Sequence, residues 1–240
     1  MLWIVLIVGA MILYGIVPTV LIRRTNFRVY RKGARSGMIA LTFDDGPDPY
    51  YTPRLLDLLK KYQVKATFFV VGKKAEQYPY IVKRMHDEGH EIGMHNYRHI
   101  SNWFIFPPFL GKGLRKSANI IEQITGTRPI YYRPPWGHFN LFTPFLQKKY
   151  PTVMWTSILG DWNAKVGVLE LFKRLKNSVE DGAIIVLHDS GTTLGADELA
   201  PEQMLSALEL LLKEEKAKKM SWVTITDLLN AQTNKQISSI

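Results

Sequence analysis

From Met38 onward the sequence alternates short apolar runs rich in strand formers with longer amphipathic stretches, and this alternation limits the possible folds more than any other feature of the 240 residues. Met38 to Phe43 is the first such run, stopped by Asp44-Asp45-Gly46-Pro47-Asp48-Pro49, a loop by composition. Thr52 can cap a helix through about Tyr62, with Pro53 in its first turn and Leu55, Leu56, Leu58 and Leu59 facing the core. Ala66 to Val71 is strand-like, Glu76 to Glu88 helical, and Glu91 to Met94 a short strand ending at His95. The pattern then predicts a helix over Lys112 to Thr125, a strand at Tyr131 and Tyr132, a helix over Phe142 to Lys149 and a strand over Thr152 to Ser157. A helix over Val168 to Glu180, a strand over Ala183 to Leu187, a helix over Glu202 to Lys219 and a strand over Trp222 to Ile225 complete it. About seven strand–helix units argue for an α/β fold, a distorted (β/α)7-type parallel barrel, rather than a sandwich.

Before the alternation starts, Leu2 to Ile22 carries no charge. These 21 residues, at about 1.5 Å each, span roughly a 30 Å hydrocarbon core, and the run reads as a transmembrane helix over residues 1–22. It has no polar face, which argues against a buried core helix. No Lys or Arg precedes it and no small-x-small site precedes Arg23, which argues against a cleaved signal peptide. Lysine and arginine outnumber aspartate and glutamate by 31 to 21, a net charge of +10. Six of those cations (Arg23, Arg24, Arg28, Arg31, Lys32, Arg35) directly follow the apolar run, so residues 23–37 read as a basic juxtamembrane linker that touches lipid. No nucleic-acid motif is present, and no protein partner is indicated. Without cysteine the chain has no disulfide, thiolate ligand or cysteine nucleophile.

The polar residues of interest fall at the carboxyl ends of predicted strands, where α/β barrels carry their active sites. Asp44 and Asp45 end the first strand, His95 and His99 follow the third, and Arg133, Asp161 and then His188 with Asp189 follow later ones. Each has a plainer reading: Asp-Asp-Gly-Pro alone makes a good turn, and two His four apart are often incidental. His86 and His90 share that spacing, but Gly89 interrupts their helix, and they read as surface and structural. The combination is more specific. One carboxylate and two imidazoles make a three-ligand site for a divalent ion with positions left open, the arrangement of a catalytic metal. A second carboxylate beside it can take a proton from water, and a further His can deliver one to a leaving group.

On these residues the chain resembles the polysaccharide deacetylases of the fourth carbohydrate esterase family. Five motifs occur in order: Thr42-Phe43-Asp44-Asp45-Gly46-Pro47, His95-Asn96-Tyr97-Arg98-His99, Arg133-Pro134-Pro135-Trp136-Gly137, Asp161-Trp162 and Val186-Leu187-His188. Lys65-Ala66-Thr67-Phe68-Phe69 and Gly89-His90-Glu91-Ile92-Gly93 look similar as well. The resemblance covers residues 38–230, read as the catalytic domain, and leaves 231–240 as a polar tail. It implies that Asp45, His95 and His99 bind a divalent metal ion, usually zinc, and that Asp44 is the general base, held ionised and oriented by Arg133. His188 is then the general acid, kept protonated by Asp161. The backbone N–H of Trp136 helps to stabilise the oxyanion, and Trp162 and Leu187 form an apolar wall around the acetyl methyl.

The implied activity is removal of N-acetyl groups from an N-acetylglucosamine-type glycan, peptidoglycan or a related polymer. Two alternatives stand beside it: deacylation of a lipid-linked amino sugar, and a catalytically weak glycan-binding protein. Departures from the family pattern are Asn96 for Ser or Thr, Ile100 for Pro, Trp136 for Tyr or Phe, and Ile158 for the first acidic residue of the fourth motif. Residues 102–110 are far more apolar than the pattern requires, either as a packed loop or as an exposed aromatic lip that touches lipid or an acyl-bearing substrate. The chain reads as a single-pass protein of the cell membrane. The catalytic domain is expected on the extracytoplasmic side, where a wall glycan requires it, although the basic linker by charge favours the cytoplasm.

Overall fold

The alternating pattern builds a mainly parallel barrel around one central strand. The computed structural model describes residues 1–33 and 37–237, the segment 232–237 by its backbone alone. Arg35 and the last residues of the polar tail, 238–240, lie outside the described residues. The strands are β1 (Val29–Tyr30), β2 (Met38–Asp44), β3 (Thr67–Val70), β4 (Glu91–Met94), β5 (Thr152–Val153), β6 (Ser157–Ile158), β7 (Ile184–His188) and β8 (Ser221–Val223). The helices are α1 (Leu2–Thr25, with a π turn at Ile12–Ile16), α2 (Tyr51–Lys61), α3 (Gly72–Gln77), α4 (Pro79–Asp87), α5 (Pro107–Thr125), α6 (Thr143–Leu146), α7 (Val168–Ser178), α8 (Ala200–Lys213), α9 (Glu215–Lys218) and α10 (Ile225–Ile237).

β2 pairs with β7 along Ala40–Asp44, while its other edge is shared by β8 over Met38–Ala40 and β3 over Thr42–Asp44. The path β4-β3-β2-β7-β6 continues through parallel bridges from Met94 to Tyr132 and from Tyr132 to Thr152, and β5 then pairs with β1. The single bridge at Tyr132 and the two-residue strands β1, β5 and β6 make the barrel irregular. β2 is buried along almost its whole length, which is why it reads as a continuous apolar run instead of an alternating one.

Several boundaries differ from those the sequence predicts. The expected helix over 76–88 is two helices, because the residue before a proline is driven out of the α region and Tyr78 precedes Pro79. Thr52 lies inside α2 and does not cap it: Tyr50 is the N-cap residue, Asp48 Oδ1 accepts from the N–H groups of Tyr50 and Tyr51, and Thr52 Oγ1 donates to the Asp189 carboxylate. The segment expected as one strand over 152–157 is two, paired to different neighbours. Where a polar tail is expected from 231, the backbone stays helical through Ile237.

The basic segment after α1 is tied to the barrel. Val29 and Tyr30 pair with Thr152 and Val153, Gly33 N–H donates to Gly182 O at 2.8 Å, and Arg31 donates to the carbonyls of Trp155 (3.0 Å) and Arg23 (3.2 Å). Arg31 therefore links the barrel to the end of α1. The second half of α1 also lies on the barrel, with Gly15, Pro18, Thr19 and Ile22 buried. Pro18 has no N–H for the Tyr14 carbonyl four residues back, and Leu141 N–H takes that carbonyl at 2.9 Å. A Cβ on Gly15 would come within 2.7 Å of the Trp103 ring, so the close approach requires glycine.

Candidate active site

The register of the sheet brings the predicted residues together. Asp44 pairs with His188 across β2 and β7 and with Phe69 across β2 and β3, and Val70 pairs with Met94, so Asp44, Asp45, His95 and His188 emerge at one end of the barrel. They line a cavity of about 180 Å³ together with His99, Trp136 and Trp162.

Asp45, His95 and His99 form the one three-residue cluster among the described residues whose ligand atoms all lie within 4.8 Å of one another. Asp45 Oδ1 is 3.3 Å from His95 Nε2 and 3.0 Å from His99 Nε2, and this buried oxygen makes no well-formed hydrogen bond. Ligands held at about 2.0–2.1 Å around a tetrahedral ion are separated by about 3.3 Å, so the donor set fits a divalent cation. His95 Nδ1 lies 2.8 Å from Arg133 O, a contact that fixes the tautomer and leaves Nε2 free to ligate. Burial alone would raise the Asp45 carboxyl, but the imidazoles of His95 and His99 hold it well below the usual range. Burial outweighs the pull of Asp45 at His99 and lowers that imidazole, favouring the neutral form a metal ligand needs.

Beside this cluster Asp44 Oδ1 accepts from Arg133 Nη1 at 2.7 Å. Arg133 is fully buried, and its other donors go to Thr42 Oγ1, Val153 O and Met154 O. The Asp161 carboxylate accepts from His188 N–H at 2.6 Å and lies 3.0 Å from His188 Nδ1. Burial would lower the His188 imidazole, but the Asp161 carboxylate, with Asp45 and Asp44 behind it, pushes it up to about 10. The Trp162 ring stands edge-on to His188 at 5.3 Å.

Two features of the sequence reading need correction or completion. Leu187 does not line the cavity: it is fully buried in the main core, and Val186 lines the cavity instead. Side chains alternate along β7, so Val186 and His188 share a face and Leu187 takes the opposite one. Asn96, a departure from the family pattern, sits at a φ of 59°, which asparagine tolerates better than most residues. Its amide donates to Ile100 O and Asn102 Oδ1 and accepts from the Tyr132 hydroxyl, which fixes the His95–His99 turn. Asp45 and Trp136 also have positive φ, at 77° and 54°. Strained backbone of this kind concentrates at functional sites.

Other contributors carry little sequence signal. Thr193 Oγ1 donates to Asp45 Oδ2 at 2.5 Å, and Leu194, Gly195 and Ala196 complete the cavity wall. The one available clue is that this loop directly follows His188. Lys74 Nζ donates to Asp45 O at 2.8 Å and to Ser190 Oγ and Thr192 Oγ1, which ties the loop to the metal-ligand turn. Asp189 is fully buried, mainly for which reason its carboxyl is pushed up to about 7, and a Cβ on Gly46 would collide with it. Arg23, expected to face lipid, lines the cavity and lies over the Trp155 ring at 5.8 Å.

Comparison with known proteins identifies the family. A family model described as polysaccharide deacetylase matches residues 31–154. A Bacillus cereus peptidoglycan-N-acetylglucosamine deacetylase is 35% identical over 196 residues, covering 80% of this chain and 88% of the relative. The Bacillus subtilis peptidoglycan-N-acetylmuramic acid deacetylase PdaC is 36% identical over 191 residues, 75% of this chain and 40% of that protein. A crystal structure of the Bc1960 peptidoglycan N-acetylglucosamine deacetylase superposes with a TM-score of 0.78 at 29% identity, covering 87% of this chain and 96% of the other. By its matched family model, its relatives and its barrel, the chain belongs to the polysaccharide deacetylase family, hydrolases of amide C–N bonds.

Proposed function

We propose that the chain removes N-acetyl groups from the amino sugars of peptidoglycan, with residues 38–230 as the catalytic unit and residues 1–22 as its membrane anchor. The observation that carries this reading is that Asp44, held by Arg133, and His188, held by Asp161, line one cavity with the Asp45, His95 and His99 cluster. The names of the relatives supply the substrate class. Because peptidoglycan lies outside the cytoplasm, the barrel is on the outer face of the membrane in this reading.

Asp45, His95 and His99 hold the divalent ion, and two imidazoles with one carboxylate suit zinc. Bound there, the ion supplies Lewis-acid polarisation of the acetamide carbonyl and of the attacking water. Asp44, oriented by Arg133, accepts the proton from that water as its oxygen bonds to the carbonyl carbon. The Trp136 N–H donates to the oxyanion that develops on the former carbonyl oxygen. His188, charged at neutral pH through Asp161, gives its proton to the amine nitrogen as the C–N bond breaks. That step matters because an unprotonated amine is a very poor leaving group. Acetate and a free amino sugar result. Trp162 and Val186 border the space beside His188 and suit the acetyl methyl.

The test is acetate release by the full chain with added zinc, from an N-acetylglucosamine oligomer and from purified peptidoglycan, with chelated protein as the blank. Zinc-dependent acetate from peptidoglycan is the expected result. Arg23, brought to the cavity by an apolar helix, favours a second reading in which the amino sugar is lipid-linked. Acetate from a lipid-linked substrate, with none from the polymers, would select it.

A further inference from the structure

Residues 102–110 divide between two roles. Trp103 turns inward: its indole N–H donates to Thr19 Oγ1 at 2.9 Å and its ring stacks on His138 at 3.9 Å. Phe104, Phe106 and Phe109 turn outward, and so do Leu141, Phe142 and Phe145 at the start of α6; these six are 42–69% exposed. The two groups meet at one level of α1. The Tyr14 hydroxyl donates to Ile105 O at 2.6 Å, its carbonyl accepts from Leu141 N–H, and its ring lies 6.3 Å from that of Phe142. The outward residues therefore form a collar around the point where α1 leaves the barrel.

We propose that this collar is immersed in the bilayer, so that the catalytic domain sits partly in the membrane and is not held above it on a stalk. Length argues for it. α1 runs from Leu2 to Thr25 with a mean hydropathy of 2.5, but its second half is docked on the barrel. Only Leu2–Leu13 projects, and twelve residues cover about 18 Å of a hydrocarbon core of about 30 Å. A helix held this way reaches further across the core only if the barrel surface around Tyr14 enters the bilayer, and that surface is the collar.

Charge argues for the same occupant. Lys112 is exposed about one helical turn after Phe109, and Lys148 and Lys149 are exposed just after Phe145. Cations directly behind an apolar tip match an anionic headgroup layer. One consequence concerns the substrate. Arg23 is nine residues beyond Tyr14, at most about 14 Å along the helix axis, and it lines the catalytic cavity. The cavity then opens close to the headgroups, and the glycan it serves is membrane-proximal.

The proposal rests on the reading of α1 as membrane-inserted, and the chain's lack of cysteine permits a direct test. Single-cysteine variants Leu6→Cys on α1, Phe106→Cys and Phe145→Cys on the collar, and Leu169→Cys on α7 are each labelled with an environment-sensitive fluorophore. The full chain is reconstituted in phosphatidylcholine–phosphatidylglycerol vesicles, and quenching by bilayer-embedded brominated lipid is compared with quenching by aqueous iodide. Brominated lipid should quench positions 6, 106 and 145, while iodide quenches position 169. Lipid quenching at 6 with iodide quenching at 106 and 145 would overturn the collar and leave the anchor intact. Iodide quenching at 6 would overturn both. Shielding of 106 and 145 from both quenchers would mean that a second copy or another protein covers the collar, which also overturns the proposal.

Discussion

Arg133–Asp44 and Asp161–His188 meet one cavity from neighbouring strands and use the same device with the signs reversed. On one side a fully buried guanidinium holds a carboxylate; on the other a buried carboxylate holds an imidazole and pushes it up to about 10. Each reacting side chain is therefore paired with an opposite charge that has no access to water. A site that must both accept and donate a proton near neutral pH needs this asymmetry. The sides also differ in anchoring. Arg133 donates to four acceptors on two segments of the barrel, β2 and the end of β5, whereas both Asp161 contacts go to His188 itself. One side is thus tied into the fold, and the other is a local device that tunes a proton.

The strongest way to break the comparison is to remove the cluster that shares the cavity with the pairs. Asp45→Ala should abolish metal uptake and activity together while both pairs remain, as checked by metal analysis and acetate release. Asp44→Asn should keep its metal and lose about 10²–10⁴-fold in kcat. A variant with activity near wild type would show that Asp44 is not the base. Arg133→Met should cost about 3–5 kcal/mol of stability, since it leaves a buried carboxylate without its partner, and urea unfolding would read this.

Asp161→Asn should fold normally and act on the proton alone. Without the carboxylate the imidazolium is disfavoured, so the basic limb of the kcat/KM profile should move to lower pH, with about a 10-fold loss at pH 7. The same pair has a stability signature. Because the folded imidazole titrates near 10 and an unfolded one near 6.5, its contribution is complete below about 6.5 and is lost as pH rises toward 10. Metal-free wild type should lose stability over that window, and Asp161→Asn should not. The smallest effect is expected at Arg23, which borders the cavity outside both pairs: Arg23→Ala should raise KM a few-fold and leave kcat unchanged.

Much of the barrel was legible because its strands are apolar throughout and its helices have one apolar face. β4 falls where the pattern puts it, and β2 and β7 each extend one residue further, to Asp44 and His188. Those extra residues are polar, so composition ends the strand too early, although the ladder continues through them. The irregular segments were less legible. Val29 and Tyr30 lie among arginines and carry no strand pattern, and they pair only because β5 offers them an open edge. Leu187 resembles Val186 in chemistry, and only the parity of β7 separates the core residue from the cavity residue.

The sequence by itself determined the family, through five motifs in order, and it set the candidate site residues beside strand ends that hydrophobic patterning marks. Only the tertiary structure decided what α1 does. A run of uncharged residues reads the same whether it is bathed in lipid along its whole length or docked for half of it. Gly15 against Trp103, Thr19 against Phe139 and Tyr14 against Ile105 are pairings between residues about 90 to 120 positions apart, and no local pattern encodes them.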